Sequence, residues 1–184
     1  MCLIFSLCVL LLLALTGAAQ DKRTLAVGVL QTARDFRQVA PVWHIISRQE
    51  DIFRFVPSVS PISESYRISD RFGYRVHPIS GRRAFHAGLD MAAEYAATVH
   101  ATASGTVSFS GDVPGYGKTV VVTHRFGFKT RYAHLTRIYR HKGAVVVKGE
   151  VIGFVGSTGQ STGNHQHYCL LYTSPSPRDG ATSR

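Results

Sequence analysis

Cysteine is nearly absent. The 184 residues hold three, Cys2, Cys8 and Cys169. Two fall in an apolar leader and one near the far end, so the stretch between has no thiol. That excludes a disulfide-stapled scaffold and a thiolate zinc site. A metal there must be held by histidine and carboxylate. Acidic residues are also few, 11 Asp and Glu against 21 Lys and Arg, a formal net charge of +10. The excess favours a polyanionic partner such as a cell-envelope polymer or nucleic acid. No useful helical period follows residue 60, and no repeat recurs at a solenoid spacing, which excludes a helix bundle and a repeat array.

The leader itself is informative. Leu3 to Leu15 is almost entirely apolar, and Thr16-Gly17-Ala18-Ala19 supplies small residues for cleavage. Residues 1–19 therefore read as a signal peptide. Met1-Cys2 lacks Lys and Arg, and the alternative is an uncleaved membrane anchor, because the run is near the lower length limit for spanning. Either version exports the chain to the periplasm, the cell envelope or the medium. About 150 residues remain, enough for one domain with its own core.

Residues 20–56 form a lead-in. A helix from Val42 to Phe53 is expected, because Val42, Ile45, Ile46, Gln49 and Ile52 make a rough 3.6-residue stripe. Pro57 and Pro61, with Ser58, Ser60 and Ser63, then link to a different texture. From Ile68 onward, short runs of Val, Thr, Tyr and Phe are cut by Gly. Strands are expected over Ser104–Ser110, Lys118–His124, Lys129–Leu135, Ala144–Val147 and Val151–Val155. Val120-Val121-Val122 is too continuous for an exposed edge. The glycine-rich loop Gly156 to Gly163 delivers the chain into a strand carrying His165 and His167.

Three short clusters then stand out: His86-Ala87-Gly88-Leu89-Asp90, Tyr132-Ala133-His134-Leu135 and His165-Gln166-His167. Zinc hydrolases need this inventory of imidazoles plus one carboxylate. On a strand, His165 and His167 leave the same face, so one can ligate while its neighbour touches a bound water. The remaining histidines, His44, His77, His100, His124 and His141, read as packing or surface residues. Arg75, Arg82 and Arg83 flank the first cluster, where they meet either solvent or acidic groups of a substrate.

In order along the chain, Phe72-Gly73-Tyr74-Arg75-Val76-His77-Pro78, Phe85-His86-Ala87-Gly88-Leu89-Asp90, Tyr132-Ala133-His134-Leu135, Lys148-Gly149-Glu150-Val151-Ile152-Gly153, Gly156-Ser157-Thr158-Gly159 and His165-x-His167 resemble the lysostaphin/LytM-type zinc metallopeptidases. The resemblance spans about residues 57–168. It implies a mainly antiparallel β-sheet fold with a duplicated hybrid motif and a narrow groove. It implies hydrolysis of peptide cross-links in bacterial peptidoglycan by a zinc-activated water. It also implies one Zn²⁺ per domain, held by His86, Asp90 and His167, with His134 and His165 as unligated catalytic histidines. Which of those two is the general base stays open here.

Two departures bear on this. Position 166 is Gln where the family has Leu, and an unpaired buried amide costs about 1–3 kcal/mol. From Cys169 onward the family pattern stops, and the string to Asp179 resembles a translated sequencing adapter. Residues 169–184 are therefore expected to be a non-native, poorly ordered tail, with Pro175 and Pro177 opposing a central strand. The alternative to an enzyme is an inactive relative that binds peptidoglycan or activates another hydrolase. A nucleic-acid-binding barrel is set aside, because the aromatics do not interleave with Lys and Arg on one strand. A biotinyl-type carrier, which Val147 to Gly153 resembles, lacks its lysine on a tight hairpin.

Overall fold

The structure is a computed structural model that describes residues 22–30, 32, 36–76 and 81–172. The expected signal segment, His77 and the tail beyond Tyr172 lie outside the described residues. The chain divides into two compact units, Met1–Phe53 and Arg54–Arg184.

The described residues of the first unit are mainly helical. Residues 22–30 form one helix, and short helices follow at Phe36–Val39, Trp43–Ile46 and Glu50–Phe53, with a 3-10 turn at Ala40–Val42. The helix expected from Val42 to Phe53 is thus corrected to two pieces broken at residues 47–49. Ile46 and Ile52 explain the break, since both are fully buried. Six residues apart on one helix they would point about 120° away from each other. The turn lets both go inward.

The second unit carries eleven strands: β1 Tyr66–Asp70, β2 Gly73–Val76, β3 Arg83–His86, β4 Leu89–Ala93, β5 Thr98–His100, β6 Gly105–Val113, β7 Gly117–Thr123, β8 Phe128–Ile138, β9 Val145–Val146, β10 Val151–Val155 and β11 His165–Tyr172. Among the described residues its only helix is a 3-10 turn at Arg125–Gly127. Nine strands make one antiparallel sheet, ordered β1-β4-β11-β8-β7-β6-β9, with β10 joining β8 to β5. β2 and β3 form a separate hairpin. The mainly antiparallel β architecture is the expected one. β7 lies between β8 and β6, and Val120 and Val122 are fully buried, as their continuous apolar run requires. The core gathers Ile62, Val99, Val107, Val120, Tyr132, Leu135, Ile152 and Val155 among others.

The last strand corrects an expectation. β11 does not stop at Tyr168 but pairs with β8 through Cys169↔Arg131, Leu170↔Thr130, Leu171↔Lys129 and Tyr172↔Phe128. Cys-Leu-Leu-Tyr is apolar and suits a strand, and the first proline comes only at position 175. Cys169 is buried and Leu170 exposed, so the alternation continues past Tyr168.

Candidate metal centre

The five chemistry-bearing side chains come from four strands. His86 ends β3, Asp90 lies on β4, His165 and His167 on β11, and His134 on β8. Register joins them: β11 pairs with β4 so that His167 faces Asp90 and His165 faces Ala92, and with β8 so that His167 faces Ala133. The two-residue period puts His165 and His167 on one face. Gln166 goes to the other face and is fully buried. Its Nε2 donates to the His167 carbonyl at 2.7 Å, while its Oε1 has no partner, the unpaired amide expected from the sequence.

His134 reaches the same face by a bulge. Between Lys118↔Leu135 and Val120↔Tyr132, β8 carries one residue more than β7. Strict alternation would place Tyr132 and His134 together on the core side. The extra residue instead sends both Tyr132 and Leu135 into the core and frees His134 for the groove. His134 adopts φ 59°, a conformation rare outside glycine. Its N–H donates to the Tyr116 carbonyl at 2.9 Å and its Nδ1 to the Thr158 carbonyl at 2.7 Å. Thr158 reaches it because Gly117 and Gly159 touch: a Cβ on Gly159 would come within 2.4 Å of the Gly117 nitrogen.

Three donor atoms converge. His167 Nδ1 lies 2.6 Å from Asp90 Oδ1 and 3.0 Å from His86 Nε2, which is 3.2 Å from the same carboxylate oxygen. All three residues are buried. His86 Nδ1 donates to the Arg71 carbonyl at 2.9 Å, which fixes its proton outward and leaves Nε2 bare. A single proton on His167 Nδ1 is then all that separates three acceptor atoms. Two imidazoles and one carboxylate suit zinc by ligand type, and a cation in place of that proton relieves the crowding of acceptors. The residues present therefore fit a divalent metal. Burial works to raise the Asp90 pKa, but the His167 hydrogen bond and the pull of His167, His86 and His165 outweigh it and hold the carboxyl below its usual value.

His134 and His165 stand beside the cluster, their ring centroids 4.6 Å apart. His165 donates Nδ1–H to the Gly163 carbonyl at 2.9 Å, and its Nε2 is 3.9 Å from Asp90 Oδ1. Both rings thus spend their Nδ1 proton on a backbone carbonyl and keep Nε2 bare. Burial pushes the His134 pKa down to about 4, against the Thr158 carbonyl, so at neutral pH this imidazole is unprotonated and its Nε2 is a hydrogen-bond acceptor.

A groove of about 350 Å³ runs over these residues, with Arg75, Phe85, Tyr116 and Gln160 also lining it. Tyr116 is a contributor that the sequence did not single out. Its ring lies 5.4 Å from His167 and stacks on His134 at 6.5 Å. The only signal was its place between Gly115 and Gly117. Cys169 Sγ, 3.1 Å from His167 Nε2, is a second one. His44 and His141 are exposed, and His100 bonds to Ser63, Thr98 and the Gly149 carbonyl. His124 is buried, held by Ser104 and Thr130. None of these four lines the groove.

Known proteins resemble this chain in sequence and fold. The DD-carboxypeptidase/endopeptidase Mpg of Neisseria meningitidis is 50% identical over 102 residues, 55% of this chain and 24% of the relative. The peptidoglycan DD-endopeptidase ShyA of Vibrio cholerae is 38% identical over 112 residues, 60% of this chain and 26% of the relative. The chain thus spans about a quarter of the length of these curated relatives. Among solved structures, the catalytic domain of lysostaphin from Staphylococcus simulans is 29% identical with a TM-score of 0.56, covering 61% of this chain and 85% of that one. A zinc-containing peptidase from Vibrio cholerae is 36% identical with a TM-score of 0.55, covering 61% and 35%. Residues 84–177, just over half of the chain, match Peptidase family M23, and the chain belongs to that family.

Proposed function

We propose that this chain is an exported zinc metalloendopeptidase that hydrolyses peptide cross-links of bacterial peptidoglycan, acting in the periplasm, cell envelope or medium. The observation that carries the reading is the convergence of His86, Asp90 and His167 within hydrogen-bonding distance, with His134 and His165 beside them. The relatives named as peptidoglycan DD-endopeptidases support the substrate, and the apolar leader at residues 1–19 supports export. An inactive peptidoglycan-binding relative is disfavoured, because all five side chains are present and meet in one groove.

His86 Nε2, Asp90 Oδ1 and His167 Nδ1 would hold one Zn²⁺. Zinc supplies a Lewis acid for the peptide carbonyl and brings a water to a pKa near 7. The rest falls to the chain. His134 and His165 present bare Nε2 atoms, so the pair takes the proton from the attacking water and returns it to the leaving amine. Thr158 and Gly163 hold the Nδ1 protons and fix both rings. The protonated member also faces the developing oxyanion.

The test is zinc content and cross-link cleavage measured side by side. Asp90→Ala should lose both. His134→Ala and His165→Ala should keep zinc and lose about 10²–10⁴-fold in cleavage. Full zinc in Asp90→Ala removes that carboxylate from the ligand set, and loss of zinc in His165→Ala reverses the roles of His165 and His167.

A further inference from the structure

The β2–β3 hairpin has two different faces. Its register sets Gly73 opposite His86 and Arg75 opposite Ala84, so these four residues share one side. Tyr74, Phe85 and Val76 share the other and are exposed. On the His86 side, everything except the arginine and the ligand histidine is small. A Cβ at Gly73 would meet nothing within 4 Å. The hairpin therefore leaves an open lane from His86 to Arg75, and both residues line the groove.

Arg75 is held but not satisfied. Its Nε lies 2.5 Å from Asp70 Oδ2, an ion pair too poorly aligned to count as a hydrogen bond. Its Nη1 is buried without any hydrogen-bond partner. The side chain stays 21% exposed. With Nε on Asp70 and Nη1 buried, only the rest of the guanidinium is left to the groove, a charged donor for one carboxylate oxygen. Among the described residues the groove lining contains one carboxylate, Asp90, and that one faces the three histidines. Among the described residues, Arg75 is the only Lys or Arg that lines the groove.

Building on the peptidase reading, we propose that Arg75 recognises a free carboxylate of the substrate peptide close to the bond that is cut. Arg75 sits two positions along β2 from the residue facing His86, a backbone offset of about 7 Å. An extended peptide advances about 3.3–3.6 Å per residue. The carboxylate held by Arg75 thus belongs to a residue within about two of the scissile bond. The substrate class is a peptide carrying a terminal or side-chain carboxylate at that spacing, and a neutral peptide of equal length is disfavoured.

The experiment uses the full chain loaded with zinc and two acetylated peptides ending in D-Ala-D-Ala, one with a free carboxylate and one with a carboxamide. The wild type should prefer the acid by about 10–100-fold in kcat/KM, the range of one hydrogen bond to a charged group. Arg75→Gln should bring the ratio to near one through KM, and Arg75→Lys should keep part of the preference. An unchanged ratio in Arg75→Gln overturns the assignment. Losing Arg75 leaves Asp70 unpaired, so zinc content and melting are followed, and Asp70→Asn/Arg75→Gln serves if the single variant fails to fold. Calorimetric binding of both peptides to the wild-type chain decides independently of turnover: equal Kd values overturn the proposal. If neither peptide is cleaved, cross-link cleavage by the wild type decides the peptidase reading, and the binding ratio still decides Arg75.

Discussion

The backbone of His134, at φ 59°, shows what the site costs. A left-handed conformation disfavours a residue with a Cβ by about 1–2 kcal/mol. It persists because the bulge in β8 and the Tyr116 and Thr158 carbonyls hold it there. His134→Gly should therefore be more stable than His134→Ala by about 0.5–1 kcal/mol, with both equally slow in cleavage. Denaturant midpoints of the two variants check this; equal midpoints mean the strain is not there. Gln166 is a cost of another kind. Its Oε1 is buried and unpaired, so Gln166→Leu should raise stability by about 1–2 kcal/mol without loss of zinc. Its melting curve is the check. Both residues were visible in the sequence, but only Gln166 could be read as a defect there, because alternation alone predicts which way it faces.

At the scale of elements, the side of the sheet away from the groove carries its own polar device. His124 donates Nδ1–H to the Ser104 carbonyl at 2.9 Å, and its Nε2 lies 2.8 Å from Thr130 Oγ1. The Thr130, Tyr132, Thr102 and Tyr168 hydroxyls follow in a chain, each 3.0 Å from the next. It ties β7 to β8, β11 and the turn after β5. Burial lowers the His124 pKa below 6.5, so the folded state holds this imidazole neutral. The unfolded chain binds the proton first as pH falls. The contribution of His124 is therefore complete above about pH 6.5 and is lost as pH drops from there toward the lowered folded value. Melting between pH 8 and pH 5 should fall more steeply for the wild type than for His124→Asn. Parallel curves would show that His124 is not protonated preferentially in the unfolded chain. The sequence left His124 as a packing or surface residue, and nothing in its spacing names Thr102 or Tyr168 as partners of the same chain of hydroxyls.

For the whole molecule, a metal held by His86, Asp90 and His167 would be a large lever on stability. The three donors come from β3, β4 and β11, elements up to 81 residues apart in sequence, and the unfolded chain cannot present them together. Binding energy is thus folding energy. A chelator should lower the melting temperature, and zinc at a hundredfold excess over Kd should restore about 2.7 kcal/mol. Asp90→Ala should respond to neither. A wild-type curve unmoved by chelator and by added zinc would argue against a metal that binds only the folded state.

The antiparallel class, the burial of β7 and the shared face of His165 and His167 follow from local patterning. A strand has period two, and apolar runs report how many of its faces are covered. The five residues that meet in the groove could be named from the sequence because their chemistry is concentrated in three short clusters. The break in the lead-in helix, the bulge that turns His134 away from Tyr132 and the reach of β11 to Tyr172 were not. Nor was the lane joining Arg75 to His86. Each depends on what lies across the sheet or hairpin. Two isoleucines six apart turn inward together only when a core awaits both. A fourth pair of strand residues forms only when β8 offers the partner. Cross-strand register decides such matters, and register is a property of two segments at once.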